Sequence, residues 1–244
     1  MTKYQLQKLY RDNGVKWRNT QTVYRQHYVR RHQLDYERVL FIQQILQVII
    51  RGEPHGYFDE MALHGFLTIK KAWSYEDTPV CCPMNGGKRV KCTVYGTISN
   101  VLSRPCLMYR EKSTNADDCL AYLQMLRAEV AKVTNQKLHL ILDNHPAHKA
   151  ARYTSVKQYL DEHFITHWMP PSTPQVNSIE TFWAVFKQRF RKLLMLNPET
   201  PLSQGQFEYK VEAVGAQFTQ QEALNLMRAN HGYMHQMLRD HRLE

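Results

Sequence analysis

Two segments constrain what this chain can become more than any others. Leu140-Ile141-Leu142-Asp143-Asn144-His145-Pro146-Ala147-His148 reads as an apolar strand that delivers an aspartate at its end. The run from Pro170 to Trp183 reads as a proline-rich loop opening a helix whose fourth residue is Glu180. A strand end and a helix start both present side chains at the rim of a core. Acids in those two places predict neighbouring carboxylates.

A chain of 244 residues can bury a sizeable core, in one domain with an appendage or in two small ones. Hydrophobic residues make up 43%, enough for a globular protein, and no run approaches the roughly 18 apolar residues of a membrane span. Nothing resembling a cleavable leader follows Met1, so the expectation is a soluble, intracellular protein with no membrane partner. Cys81, Cys82, Cys92, Cys106 and Cys119 are odd in number and lack Cys-x-x-Cys spacing, which predicts free thiols. A formal charge of +10 calls for an anionic partner.

That charge is uneven. Residues 1–50 hold nine Lys or Arg against three acids, a surplus of six. Leu6, Leu9 and Tyr10 before Asn13-Gly14 predict a short helix stopped at the glycine, then an extended basic segment with Lys16, Arg18, Arg30 and Arg31. Such a segment suits the end of a helix-turn-helix unit or a linker tracking DNA, and equally a basic arm solvated on the surface. From Tyr36 to Ile50 the pattern predicts a helix burying Phe41, Ile45, Val48 and Ile49, ended by Gly52-Glu53-Pro54.

Further on, Tyr57–His64 and Lys88–Ser99 read as neighbours in an antiparallel ribbon. Asn115 caps a helix bearing Leu120, Leu123, Leu126, Val130 and Val133 on one face. Residues 137–142 follow as a strand, 155–163 as a short helix and 163–169 as another strand. Ile179, Phe182, Trp183, Phe186, Phe190, Leu193 and Leu194 repeat at helical spacing, so they should pack on the sheet. Thr219-Gln220-Gln221-Glu222 resembles a capping start for a helix through Ala223, Leu224, Met227 and Tyr233, packed on the core or on a second subunit. The order of elements predicts an α/β fold, a mixed sheet flanked by helices with a short basic helical N-terminal segment. The expected parts are a basic DNA-binding remnant or linker over 1–52, a main domain over 53–197 and a helical extension over 198–244.

Here a family resemblance appears. Asp-Asn-x-x-x-His from Asp143 to His148, and Pro-x-x-x-Pro-x-x-Asn-x-Ile-Glu-x-x-Trp from Pro170 to Trp183, resemble the signature of DDE transposases of the mariner superfamily. Thirty-six residues separate Asp143 from Glu180, within the range of that family. The resemblance implies an RNase H-like core with its first catalytic acid on the first strand, at Asp59, and Glu60 as the acidic neighbour. It also implies two Mg²⁺ or Mn²⁺ ions and a homodimer assembled on paired DNA ends. Ser178 stands where many members have Pro, at little cost in a first helical turn. The segment before residue 55 is short for the two helix-turn-helix units that relatives carry. The resemblance therefore leaves three expectations: a truncated chain, one that begins within the second unit, or one that anchors DNA in another way.

The expected chemistry is metal-dependent phosphoryl transfer. Two cations about 3.5–4 Å apart can activate a water or a 3′-hydroxyl on one side and stabilise the leaving oxygen on the other. Asp59 would bridge both, Asp143 would bind one and Glu180 the other, with phosphate oxygens and water completing the shells. Asn144, His148 and Asn177 would support them, His148 from behind the acids or facing DNA, and Asn177 by capping the helix of Glu180. His145 and His148 lack the further pair that zinc requires. Lys187, Arg189, Arg191 and Lys192, with no acid between Thr181 and Leu194, would line a DNA backbone path or form a solvated basic face. The expected activity is cleavage of double-stranded transposon ends and joining of the freed 3′ ends to target DNA, in the nucleus if the host is eukaryotic. A hydrolytic nuclease of the same fold, or a domesticated or truncated DNA-binding relative, are the alternatives.

Overall fold

The computed structural model describes residues 25–64, 90–111, 115–143, 154–171, 173–196 and 203–240, together with Asp12. Helix α1 (Arg25–Ile50) precedes strands β1 (His55–His64), β2 (Lys91–Ser99) and β3 (Cys106–Arg110). Next come α2 (Ala116–Ala131), β4 (His139–Leu142), α3 (Thr154–His163) and β5 (Ile165–Trp168). A 3₁₀ turn (Pro174–Val176) leads into α4 (Ser178–Leu196), and α5 (Gln204–Gly215) and α6 (Gln220–Asp240) follow.

The strands form one mixed sheet in the order β3-β2-β1-β4-β5. β2 runs antiparallel to both β1 and β3, while β4 pairs parallel with β1 and with β5. Because side chains alternate along a strand, adjacent residues feed opposite faces. Tyr57, Met61, Leu63 and Ile141 pack with Ile179, Phe182, Trp183 and Phe186 of α4. Phe58, Leu140 and Leu142 instead join Leu123, Leu126 and Val130 of α2 and Leu160 of α3. The result is a sheet with a separate apolar core on each side.

Local signals set several element ends. The Asn115 side chain accepts from the Asp118 N–H at 2.8 Å and caps α2, as its sequence predicts. Val133, expected on the buried stripe of that helix, lies beyond its end and is 52% exposed. Helix α1 closes in a Schellman motif: Gly52 adopts φ 68°, its N–H bonds to the Ile49 carbonyl at 3.0 Å, and the Glu53 N–H bonds to Val48 at 3.1 Å. Thr219 and Glu222 form a reciprocal capping box at the start of α6, Glu222 N–H to Thr219 Oγ1 at 3.2 Å and Thr219 N–H to Glu222 Oε2 at 3.1 Å.

Three differences from the sequence expectation concern extent. Helix α1 covers Arg25–Ile50 and so extends back before Tyr36, and the basic stretch containing Arg30 and Arg31 has a helical backbone and not an extended one. The chain divides into two compact units between Tyr36 and Glu37, not after residue 52, because Phe41, Ile42, Ile45 and Leu46 belong to the core that faces α4. Strand β3 and helix α5 were not anticipated. Val211 and Val214 of α5, with Met227 and Met234 of α6, extend that same core, so the C-terminal helices pack on the sheet layer that carries α4. Cys92, Cys106 and Cys119 are buried free thiols, whereas Cys81 and Cys82 lie outside the described residues. Among the described residues no helix is long and apolar enough to cross a membrane.

Candidate active site

Strands β1 and β4 stay in register from His55 opposite His139 to Phe58 opposite Leu142. Asp59 is the next residue of β1, and Asp143 is the first residue past the end of β4. The apolar runs before them, Tyr57-Phe58 and Leu140-Ile141-Leu142, are fully buried and anchor both acids from one side. Asp59 falls on the same face of β1 as Tyr57 and Met61, the face covered by α4.

Helix α4 brings the third acid. It starts at Ser178, making Glu180 its third residue instead of its fourth, and Glu180 is exposed in the first turn. The loop before it is tightly tied. The Thr173 hydroxyl donates to the Pro170 carbonyl, Arg38 reaches the Pro171 carbonyl at 3.4 Å, and the 3₁₀ turn delivers Asn177 to the helix start. One turn after Glu180, the Trp183 indole Nε1–H donates to Asp59 Oδ2 at 3.1 Å. That bond joins the helix of the third acid to the first acid.

The electrostatics are those of crowded acids. Burial pushes the Asp59 carboxyl up to about 8, and Glu60, Glu180 and Asp143 push in the same direction, against a hydrogen bond from the Glu60 backbone N–H. Both of the other expected acids therefore act on Asp59. Among the described residues, however, no three His, Cys, Asp or Glu side chains are already gathered to hold a metal ion. The backbone places hard oxygen donors on one strand, just past the end of its parallel neighbour and on one helix, with a carboxyl that favours a proton because it is buried and because its neighbours are negative. A hard divalent cation fits this donor set, because its charge would offset the burial of the Asp59 carboxylate and the repulsion from its acidic neighbours.

The supporting residues divide. Asn177 sits before α4, but its side chain does not cap it: the Glu180 N–H bonds to the Asn177 backbone carbonyl at 3.1 Å, and Asn177 Oδ1 is buried without a partner. The helix satisfies its first turn through the backbone, so the expected side-chain cap is corrected. Asn144, His148, Lys16 and Arg18 lie outside the described residues, and Arg30 and Arg31 are described in backbone only. Of the basic residues on α4, Arg191 and Lys192 are exposed and Lys187 is half-buried. Arg189 turns inward, pairing with Glu222 of α6 and stacking 4.2 Å above the Phe218 ring. It braces two helices and leaves the set of outward cations.

A buried histidine array also escaped the sequence reading. His139 Nδ1 lies 2.8 Å from His167 Nε2 with the rings stacked, and His139 Nε2 lies 3.1 Å from Glu53. His55 packs 5.9 Å from His231 of α6, which also meets the Tyr57 hydroxyl at 3.3 Å. Burial lowers all four rings, His167 and His231 to about 4. Spread over positions 55, 139, 167 and 231, they share no spacing that a sequence pattern could reveal. His55 and His139 open β1 and β4, whereas His167 sits within β5 and His231 on α6.

No curated protein matches the chain. Among solved structures it is similar to the Mos1 mariner paired end complex with Mn, at TM-score 0.66 and 11% identity over 98% of this chain and 71% of that one. It is also similar to the Mos1 strand transfer complex, at TM-score 0.60 and 12% identity over 97% and 69%, and to the catalytic domain of Mos1 mariner transposase, at TM-score 0.56 and 12% identity over 92% and 97%. The shared architecture is the RNase H-like mixed sheet flanked by helices that the mariner signature implies. Residues 55–199, more than half of the chain and the span that contains Asp59, Asp143 and Glu180, match the DDE superfamily endonuclease family, and the chain belongs to it.

Proposed function

We propose that this endonuclease is a transposase core that cuts the ends of its own element and joins the freed 3′ ends to target DNA. What supports the reading is the placement of the three acids: Asp59 on β1, Asp143 just past the end of the neighbouring parallel strand β4, and Glu180 in the first turn of the helix whose Trp183 touches Asp59. Asp59 would bridge two Mg²⁺ or Mn²⁺ ions, Asp143 would hold one and Glu180 the other. When bound, such a pair lowers the pKa of an attacking water or 3′-hydroxyl and stabilises the leaving oxygen. The chain's own part is to fix three carboxylates on rigid elements, so that little reorganisation is left for the moment of reaction. Membership of the endonuclease family supports the chemistry, and the mariner-type architecture supports transposition.

Double-stranded DNA would approach over α4, where Arg191 and Lys192 are exposed beside the half-buried Lys187. Lys16, Arg18, Arg30 and Arg31 would extend the phosphate contacts. A homodimer would pair two ends, in the nucleus of a eukaryotic host. The test uses the terminal repeats flanking the reading frame, as intact duplexes and as precleaved ends with a target plasmid, in Mg²⁺. Nicking plus joined product is expected. Asp59→Asn, Asp143→Asn and Glu180→Gln should each abolish both while retaining DNA binding. Cleavage without joining would reduce the protein to a hydrolytic nuclease, and binding without cleavage to a DNA-binding relative.

A further inference from the structure

Asp59 and Gly96 face each other across β1 and β2, and Trp183 lies over both. A Cβ built on Gly96 would stand 2.4 Å from Trp183 Cη2 and 2.7 Å from Cζ2, so only glycine lets the indole lie this close to the strand. The ring is 2% exposed, and its one polar atom donates to Asp59 Oδ2 at 3.1 Å. Glycine in a strand interior gives up packing and costs about 0.5–1 kcal/mol. Here that loss creates the seat for one side chain.

We propose that Trp183, seated by Gly96, is a positioning residue for Asp59. The indole fixes one carboxylate oxygen and so limits the orientations open to the other. The same contact sets how far α4, and with it Glu180, stands from β1. Outer hydrogen bonds to metal-ligating side chains are typically worth about 10–100-fold in metal affinity or activity. The claim rests on the reading of Asp59 as a metal ligand. A Trp that merely filled space would need its shape and not its N–H.

The test measures Mn²⁺ binding by calorimetry on the full chain, for the wild type, Trp183→Phe, Gly96→Ala and Asp59→Asn, alongside metal-free thermal melts. Trp183→Phe keeps an aromatic ring and deletes the donor. Its Mn²⁺ affinity should fall about 10-fold or more, while its metal-free melt stays within a few degrees of wild type. Gly96→Ala, which displaces the ring without changing its chemistry, should weaken Mn²⁺ in the same way. A readout on the unaltered side chain covers the case in which these variants fail to fold. One of the four indole N–H resonances of the wild type should shift on Mg²⁺ titration, and the same resonance should move in Asp59→Asn without metal. Binding lost in Asp59→Asn but unchanged in Trp183→Phe, or indole resonances indifferent to Mg²⁺, would overturn the positioning role alone. A wild type that binds no Mn²⁺ would overturn the metal reading and this role with it.

Discussion

Asn230 of α6 donates through Nδ2 to the Gln175 carbonyl at 2.6 Å, tying the C-terminal helix to the turn that leads into Glu180. Asn230 is buried, and Met227 and Met234 on the same helix sit in the core beneath α4. The last helix thus supports α4.

Replacing Asn230 by alanine should therefore destabilise the protein and loosen the loop before Glu180. One lost hydrogen bond of this type is worth about 1 kcal/mol, and a chain of this size converts that to a melting point about 2–4 °C lower. Cleavage at a temperature well below the melt should also slow, because the loop orients the third acid. Unchanged cleavage in a variant with the lowered melt would confine Asn230 to stability.

The histidine array gives the fold an acid limit. Burial is the first cause at His167 and His231, each at about 4 against 6.5 unfolded, and neighbouring rings add to it: His139 for His167, and His55 and His235 for His231. Glu53, the acid facing His139 and His167, opposes the shift without reversing it. A folded pKa below the unfolded one means the unfolded chain takes up the proton first. Stability from these groups is full above about 6.5 and is lost as pH falls toward 4. Urea unfolding at pH 7.5, 5.5 and 4.5 should show that decline, and His167→Gln should make it shallower by up to about one proton. A slope unaltered by the substitution would remove His167 from the account.

Asp59 has the opposite sign. Its folded pKa, raised to about 8 against 3.8 unfolded, means the folded chain holds a proton the unfolded chain has released. In a chelator, Asp59 thus destabilises the fold increasingly as pH rises between those values. Asp59→Asn removes the penalty and keeps an oxygen to accept the Trp183 indole. Its metal-free melting point should exceed that of wild type at pH 8 and converge with it near pH 4. A lower midpoint for the amide at pH 8 would mean that neither the burial of Asp59 nor its acidic neighbours weigh on the fold.

Much of this arrangement is legible in the residues themselves, and the remainder has physical reasons for being hidden. The apolar runs before Asp59 and Asp143 announce buried strands, and the helical repeat from Ile179 to Phe190 announces the face that α4 buries. Periodicity tells which side of an element is covered, not which atom meets which. Trp183 therefore reads as core, which it is, while its bond to Asp59 depends on the β1–β2 register and on the missing side chain of Gly96. Strand β3 is only Cys106–Arg110 and gains its order from pairing with β2, so propensity alone passes over it. Arg189 reads as one of four like cations until α6 supplies Glu222 from 33 residues away.

That last pairing separates the basic residues of α4 by experiment. Arg191 and Lys192 are exposed, and if they meet phosphates each releases counterions, adding about 0.9 to the slope of log affinity against log salt. Substituting both by glutamine should flatten the slope for duplex DNA by about 2 and leave the melting point nearly unchanged. Arg189→Gln should do the reverse. Its guanidinium is spent on Glu222, whose carboxyl it holds below the usual range, and on the Phe218 ring. Loss of stability with an intact salt slope is expected for Arg189→Gln. An unchanged slope in the Arg191 and Lys192 double variant would move the DNA path off this helix, whereas a flattened slope in Arg189→Gln would return Arg189 to it.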